Sequence, residues 1–183
     1  MKVEINGNIL EFKKGDITTV QADAIVNAAN GTLLGGGGVD GAIHRAAGKE
    51  LLQECKRIRE EQLHGEELPS GDAVMTKGYN LPADYVIHTV GPVWEGGEHK
   101  EAERLSNCYK NSLALMREHQ LQHIAFPSIS TGAYRFPIEL AAAVAIETVV
   151  EYLKKERVGK VTFVLFSEED KEIYQTTYEN IYG

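Results

Sequence analysis

Asp40 is the residue whose setting most clearly calls for chemistry, because it follows the run Gly35-Gly36-Gly37-Gly38-Val39 and precedes Gly41. Consecutive glycines strip the side chains from a loop, so successive N–H groups can converge on an anion such as phosphate at contact distance. Gly41-Ala-Ile-His-Arg-Ala-Ala47 then reads as the first turns of a helix, whose N-terminal N–H groups and dipole favour the same anion. A carboxylate beside such a site repels the ligand, which argues that Asp40 does work other than binding. His44 follows Asp40 by one helical turn, so the two side chains can share a face. Asn27 and Asn30 flank the end of a short apolar run, where amides can donate to and accept from sugar hydroxyls. The same residues also fit a plainer reading: a glycine turn with Asp40 as helix N-cap, turn-forming asparagines and a structural histidine.

A second loop, Pro127-Ser-Ile-Ser-Thr-Gly-Ala-Tyr-Arg-Phe-Pro137, carries hydroxyls, one glycine and two aromatics. It is either another anion clamp or the capped entry to the helix that follows.

The elements that must position these loops are legible in the periodicity. Lys2-Val3-Glu4-Ile5 and Ile9 to Lys13 alternate around Asn6-Gly7-Asn8, which predicts a hairpin. Ala24 to Ala28 reads as a buried strand, followed by the glycine loop and a helical stretch reaching Arg59, then a polar connector from Gln62 to Gly71. Ala73–Thr76, Tyr85–Val90, His123–Phe126 and Val161–Phe166 read as strands; Glu101–His119, Ile138–Glu156 and Glu168–Ile181 read as helices. This alternation predicts an α/β fold with a mostly parallel sheet and helices on both faces, made mixed by the hairpin. In open sheets of this kind ligands bind beyond the carboxyl ends of the strands. Asn27–Asp40, Ser128–Phe136 and Phe166-Ser167 all fall there.

Bulk properties narrow the function. The 183 residues, 43% of them apolar, fit one domain spanning residues 1–183. No apolar run approaches the roughly 20 residues needed to span a bilayer, and Met1-Lys2-Val3-Glu4 leads straight into a strand pattern without a signal-like segment. A soluble cytoplasmic protein with no membrane partner is expected. Cys55 and Cys108, too few for a disulfide framework, are expected as free thiols at buried helix positions. The net charge of −8 disfavours polyanions, so no strong nucleic-acid binding is expected. Backbone N–H groups act at short range, which leaves a small phosphorylated ligand open. Gly36-x-Gly38-x-x-Gly41 formally fits the dinucleotide fingerprint, but Asn30 to Leu34 separate it from the strand, and helix stands where the acidic residue would be needed. No Walker-type Gly-x4-Gly-Lys-Ser/Thr occurs, and the six histidines are too scattered for a metal site.

Taken together, Gly15-Asp16-Ile17-Thr18, Val26-Asn27-Ala28-Ala29-Asn30, Gly36 to Gly48, Val90-Gly91-Pro92 and Pro127 to Pro137 resemble the macrodomain family. Gly-Gly-Val-Asp-Gly-x-Ile-His-Arg-Ala-Ala-Gly is most similar to its MacroD-type branch. The resemblance implies a three-layer α/β/α sandwich that binds ADP-ribose without cofactor or metal. In this branch it further implies cleavage of ADP-ribose from Glu or Asp side chains of mono-ADP-ribosylated proteins, or from O-acetyl-ADP-ribose. By position it implies that Asp16 accepts a hydrogen bond from the adenine amino group, that the Ile17 N–H contributes beside it, and that Phe166 stacks on the base. Gly36, Gly37, Gly38 and Val39 would clamp the pyrophosphate from one side; Ser130, Thr131, Gly132, Ala133 and Tyr134 would clamp it from the other. Asn30 and Asp40 would face the distal ribose. Phe166, at the end of an apolar strand, reads equally as core. Arg135 stands where relatives commonly have glycine, so it either adds a charge to the clamp or distorts a turn that prefers glycine. An ester to a side-chain carboxyl leaves as a carboxylate whose acid has a pKa near about 4.3, so Asp40 need only align a water. A non-catalytic ADP-ribose reader and an ADP-ribose 1″-phosphatase are the competing readings.

Overall fold

The computed structural model describes residues 1–183. Strands β1 (Lys2–Ile5) and β2 (Asn8–Lys14) pair antiparallel through a turn in which Asn6 and Gly7 both have positive φ, 51° and 81°. That conformation matches the twist of the flanking strands and explains the Asn-Gly pair. With β3 (Ala24–Ala28), β4 (Ala73–Lys77), β5 (Tyr85–Thr89), β6 (His123–Phe126) and β7 (Lys160–Leu165) they form one seven-stranded sheet in the order β1-β2-β7-β6-β3-β5-β4. From β2 to β5 every neighbouring pair is parallel, so five strands end at the same edge. β4 returns antiparallel to β5. The connection between them, residues 78–84, is too short for a crossover, which takes about a dozen residues or more.

Helices α1 (Gly38–Ala47) and α2 (Lys49–Glu61) cover one face; α3 (Glu101–Glu118), α4 (Ile138–Lys155) and α5 (Glu168–Tyr182) cover the other. Strand alternation divides the core accordingly. Ala24 and Val26 join the larger apolar cluster under α3–α5, while Ile25 joins the smaller one under α1 and α2. This is the three-layer α/β/α sandwich with a mixed, mostly parallel sheet that the sequence led us to expect.

The helical stretch expected to continue to Arg59 is instead two helices, because Gly48 adopts φ 91° between them. A side chain at Gly48 would be strained by that φ, and its Cβ would lie 2.9 Å from Asn80 Nδ2. α1 points its first turn at the sheet edge, and α2 buries Leu51, Cys55 and Ile58. A short 3-10 turn, Ile17–Thr19, follows β2 and was not apparent from periodicity. Both cysteines are free and buried. No helix is long and apolar enough to cross a membrane.

Candidate functional site

Two cavities lie side by side over the carboxyl ends of the parallel strands, with volumes of about 270 and 490 Å³. Gly38, Val39, Ser128 and Gly132 belong to both, so the two form one groove. Its floor on one side is the N-terminus of α1, where the first intrahelical bond is donated by Gly41 to Gly37 O. The N–H groups of Gly38, Val39 and Asp40 precede that bond and have no intrahelical acceptor. Across the groove, no N–H from Thr131 to Tyr134 is committed to a protein acceptor. Ser130 holds φ 68° in this loop, its carbonyl accepts from the Phe136 N–H at 2.9 Å, and the Ser128 and Thr131 hydroxyls bond each other at 2.8 Å. Two sets of unused amide donors thus face each other across the groove, an arrangement suited to a diphosphate.

The smaller cavity ends at Asp40. Its carboxylate is 3% exposed and held from two sides: Asn27 Nδ2 donates to Oδ1 at 2.9 Å, and the Asn30 backbone N–H donates to Oδ2 at 3.3 Å. His44 Nε2 lies 3.4 Å from Oδ1 on the side away from the cavity. Asn30 ties the two loops together, donating through Nδ2 to Gly35 O at 3.0 Å and accepting from the Tyr134 hydroxyl at 3.1 Å. Close packing explains two glycines here. A Cβ at Gly36 would strike Asn30 Nδ2, and one at Gly41 would strike Gly36 O.

At the far end of the larger cavity stand Asp16, Ile17 and Phe166. Asp16 Oδ1 accepts from the N–H and hydroxyl of Thr18, which leaves Oδ2 uncommitted. Phe166 stands one residue past β7 with 82% of its surface exposed, so it is a platform at the rim rather than core. The groove therefore offers an aromatic face and a carboxylate at one end, opposed amides in the middle and a fixed carboxylate at the other.

The Macro domain profile matches residues 26–145, well over half of the sequence. The chain belongs to the macro domain family. A macro domain-containing protein of Chlorobaculum tepidum is 60% identical over 163 residues, covering 88% of this chain and 91% of that protein. A protein of Citrobacter koseri named O-acetyl-ADP-ribose deacetylase is 50% identical, covering 91% of this chain and 93% of that one. The Oceanobacillus iheyensis macrodomain, solved with ADP, superposes with a TM-score of 0.97 at 52% identity, covering 99% of this chain and 95% of the other. The Trypanosoma brucei macrodomain in complex with ADP-ribose gives 0.81 at 39% identity, covering 91% of this chain and 68% of the other.

Within this macro domain the residues expected at the ligand surface divide into two groups. Asp16, Ile17, Asn30, Gly37, Gly38, Val39, Asp40, Ser130, Thr131, Gly132, Ala133, Tyr134 and Phe166 line the groove. Asn27, Gly36, His44 and Arg135 do not. Asn27 is fully buried and touches Asp40 instead of open space. Gly36 is the closely packed support of Asn30, and His44 stands behind Asp40. Arg135 accommodates the left-handed turn at φ 60°, and its side chain is exposed. It does not line either cavity. The sequence reading overlooked Arg45 and Asp170, both on the wall of the larger cavity. Arg45 could have been found from its helical spacing to Val39 and Ala42, which line the same wall, and Asp170 from its place in the first turn of the helix after Phe166.

Proposed function

We propose that this macro domain binds ADP-ribose along the groove and hydrolyses an ester carried by its distal ribose. The substrates would be O-acetyl-ADP-ribose and mono-ADP-ribose joined to Glu or Asp side chains of proteins. The observation that carries this reading is Asp40, a carboxylate fixed by two N–H donors at the end of a groove otherwise built to attract negative charge. A module that only holds ADP-ribose needs the amide clamps but not this carboxylate.

The adenine would lie on Phe166 beside Asp16, and the diphosphate between the α1 N-terminus and the 130–134 loop. Arg45 supplies one cationic side chain on the same wall. The distal ribose would then reach Asn30 and Asp40. Asp40 aligns a water there; water adds, the ester C–O bond breaks, and a carboxylate and a proton leave. For the Glu- or Asp-linked substrate the departing acid has a pKa of about 4.3, so no strong general acid is needed when that carboxylate leaves; for O-acetyl-ADP-ribose the water adds to the acetyl carbonyl and one of its protons goes to the departing ribose oxygen. Alignment of the water supplies more of the rate than proton abstraction does. Cys55 is no competing nucleophile. Burial, with Asp40 and Glu54 adding to it, pushes its thiol up to about 12.

Incubation with O-acetyl-ADP-ribose and with glutamate-linked mono-ADP-ribosylated protein tests the proposal. Wild type should release acetate and free ADP-ribose respectively, and Asp40→Asn should bind ADP-ribose and release neither. Binding without turnover by the wild type would make the chain a reader and overturn the hydrolase reading.

A further inference from the structure

A polar row crosses three neighbouring strands beneath α1 and α2, on a sheet face otherwise lined by aliphatic side chains. Asn27 on β3 and His88 on β5 are partners in the parallel ladder, and Thr76 lies beside them on β4. Asn27 and His88 are 0% exposed and Thr76 2%. The two hydrogens of Asn27 Nδ2 go to Asp40 Oδ1 at 2.9 Å and to His88 Nδ1 at 3.1 Å. An amide nitrogen only donates, so Nδ1 must carry the lone pair and Nε2 the proton. Nε2 in turn lies 2.9 Å from the Thr76 hydroxyl, which donates to Lys77 O at 3.1 Å.

We propose that His88 is a positioning residue for the hydrolysis proposed above: its Nδ1 lone pair orients the Asn27 amide, which aims an N–H at Asp40 and holds the carboxylate at the cavity wall. The inference rests on that reading of the site. Asn27 Oδ1 has no hydrogen-bond partner, so these two N–H contacts alone set the orientation of the amide. Turned over, the amide would put its oxygen against the carboxylate and repel it. Burial, with His44 second, pushes the His88 imidazole down to about 3, which keeps the neutral form that the row requires. The titratable groups facing it are His44 and Asp40 on α1, with the His44 ring centroid at 6.3 Å, and Cys55 on α2, with Sγ 3.9 Å from Nε2.

His88→Phe keeps a ring of similar size and removes the acceptor, whereas His88→Asn places an amide oxygen close to where Nδ1 stood. His88→Phe should lower kcat for acetate release from O-acetyl-ADP-ribose by roughly 100-fold, the order expected for a displacement of about 1 Å at a reacting centre. Its Kd for ADP-ribose should be unchanged, because no His88 atom lines the groove. His88→Asn should recover most of kcat despite leaving a void. A purely structural role predicts the reverse order, with activity following the folded fraction and the smaller side chain faring worse. Wild-type kcat in His88→Phe overturns the proposal. In the unmodified protein, 15N shifts should report the Nε2-protonated tautomer and a slowly exchanging Asn27 side-chain amide that becomes fast in His88→Phe. That result would hold even if the wild type turned over no ester, and an Nδ1-protonated tautomer would sink the inference by itself.

Discussion

Acidification should weaken this fold through His88, beginning near neutral pH. The unfolded imidazole has a pKa near about 6.5, whereas in the folded chain burial, and then His44, push it to about 3. Between these values the unfolded chain binds one proton more than the folded one, so stability is fully present above the unfolded value and falls as pH drops. The slope for one proton is about 1.4 kcal/mol per pH unit, so roughly 2 kcal/mol should vanish between about pH 6.5 and about pH 4.5. Set against typical stabilities of about 5–15 kcal/mol, that is a large fraction. His123, half-buried and lowered mainly by burial, acts in the same direction, so the comparison needs a variant. Glu11, Glu101 and Glu151 are lowered instead, and their contributions are lost only below the ordinary carboxylate range. Urea denaturation at several pH values across the window, for wild type and His88→Phe, reads the difference directly. Wild type should show the steeper loss by close to one proton. Parallel slopes for the two proteins would refute the reasoning.

Three further substitutions probe the groove and its support. Phe166→Ala should leave stability within about 0.5 kcal/mol, because the ring is exposed. The same change should weaken ADP-ribose binding by the worth of a base–aromatic stack, about 1–3 kcal/mol, measured by calorimetry. Gly41→Ala drives a Cβ into Gly36 O, and should cost about 1–3 kcal/mol and lower Tm by roughly 2–4 °C for each of them. Gly37→Ala meets nothing within 4 Å and should melt like the wild type.

The order of elements and the sandwich were legible because each strand and helix carries its own period, as in Val161–Phe166 or the buried face of α4. Gly48 was not read as a break, since a glycine within helical spacing marks an end only when the chain needs a positive φ there. The reversal of β4 was also hidden; alternation fixes the faces of a strand but not its direction. The glycine run and the 127–137 loop pointed to the groove because backbone exposure is a local property. Asn27 and His88 were different. Their roles depend on the register that sets β3 beside β5, which no local pattern encodes, and so Asn27 was expected to meet the ligand while His88 passed as an ordinary strand residue. Phe166 was readable either as core or as platform, and only the end of β7 at Leu165 decides between them.

Main-chain amides of α1 and of the 130–134 loop are expected to grip a diphosphate. Titrating ADP-ribose into the folded protein in a calorimeter tests it most directly, and saturable one-to-one binding that survives in Asp40→Asn is the expected result. A folded protein that gives no binding heat across several temperatures would contradict the account.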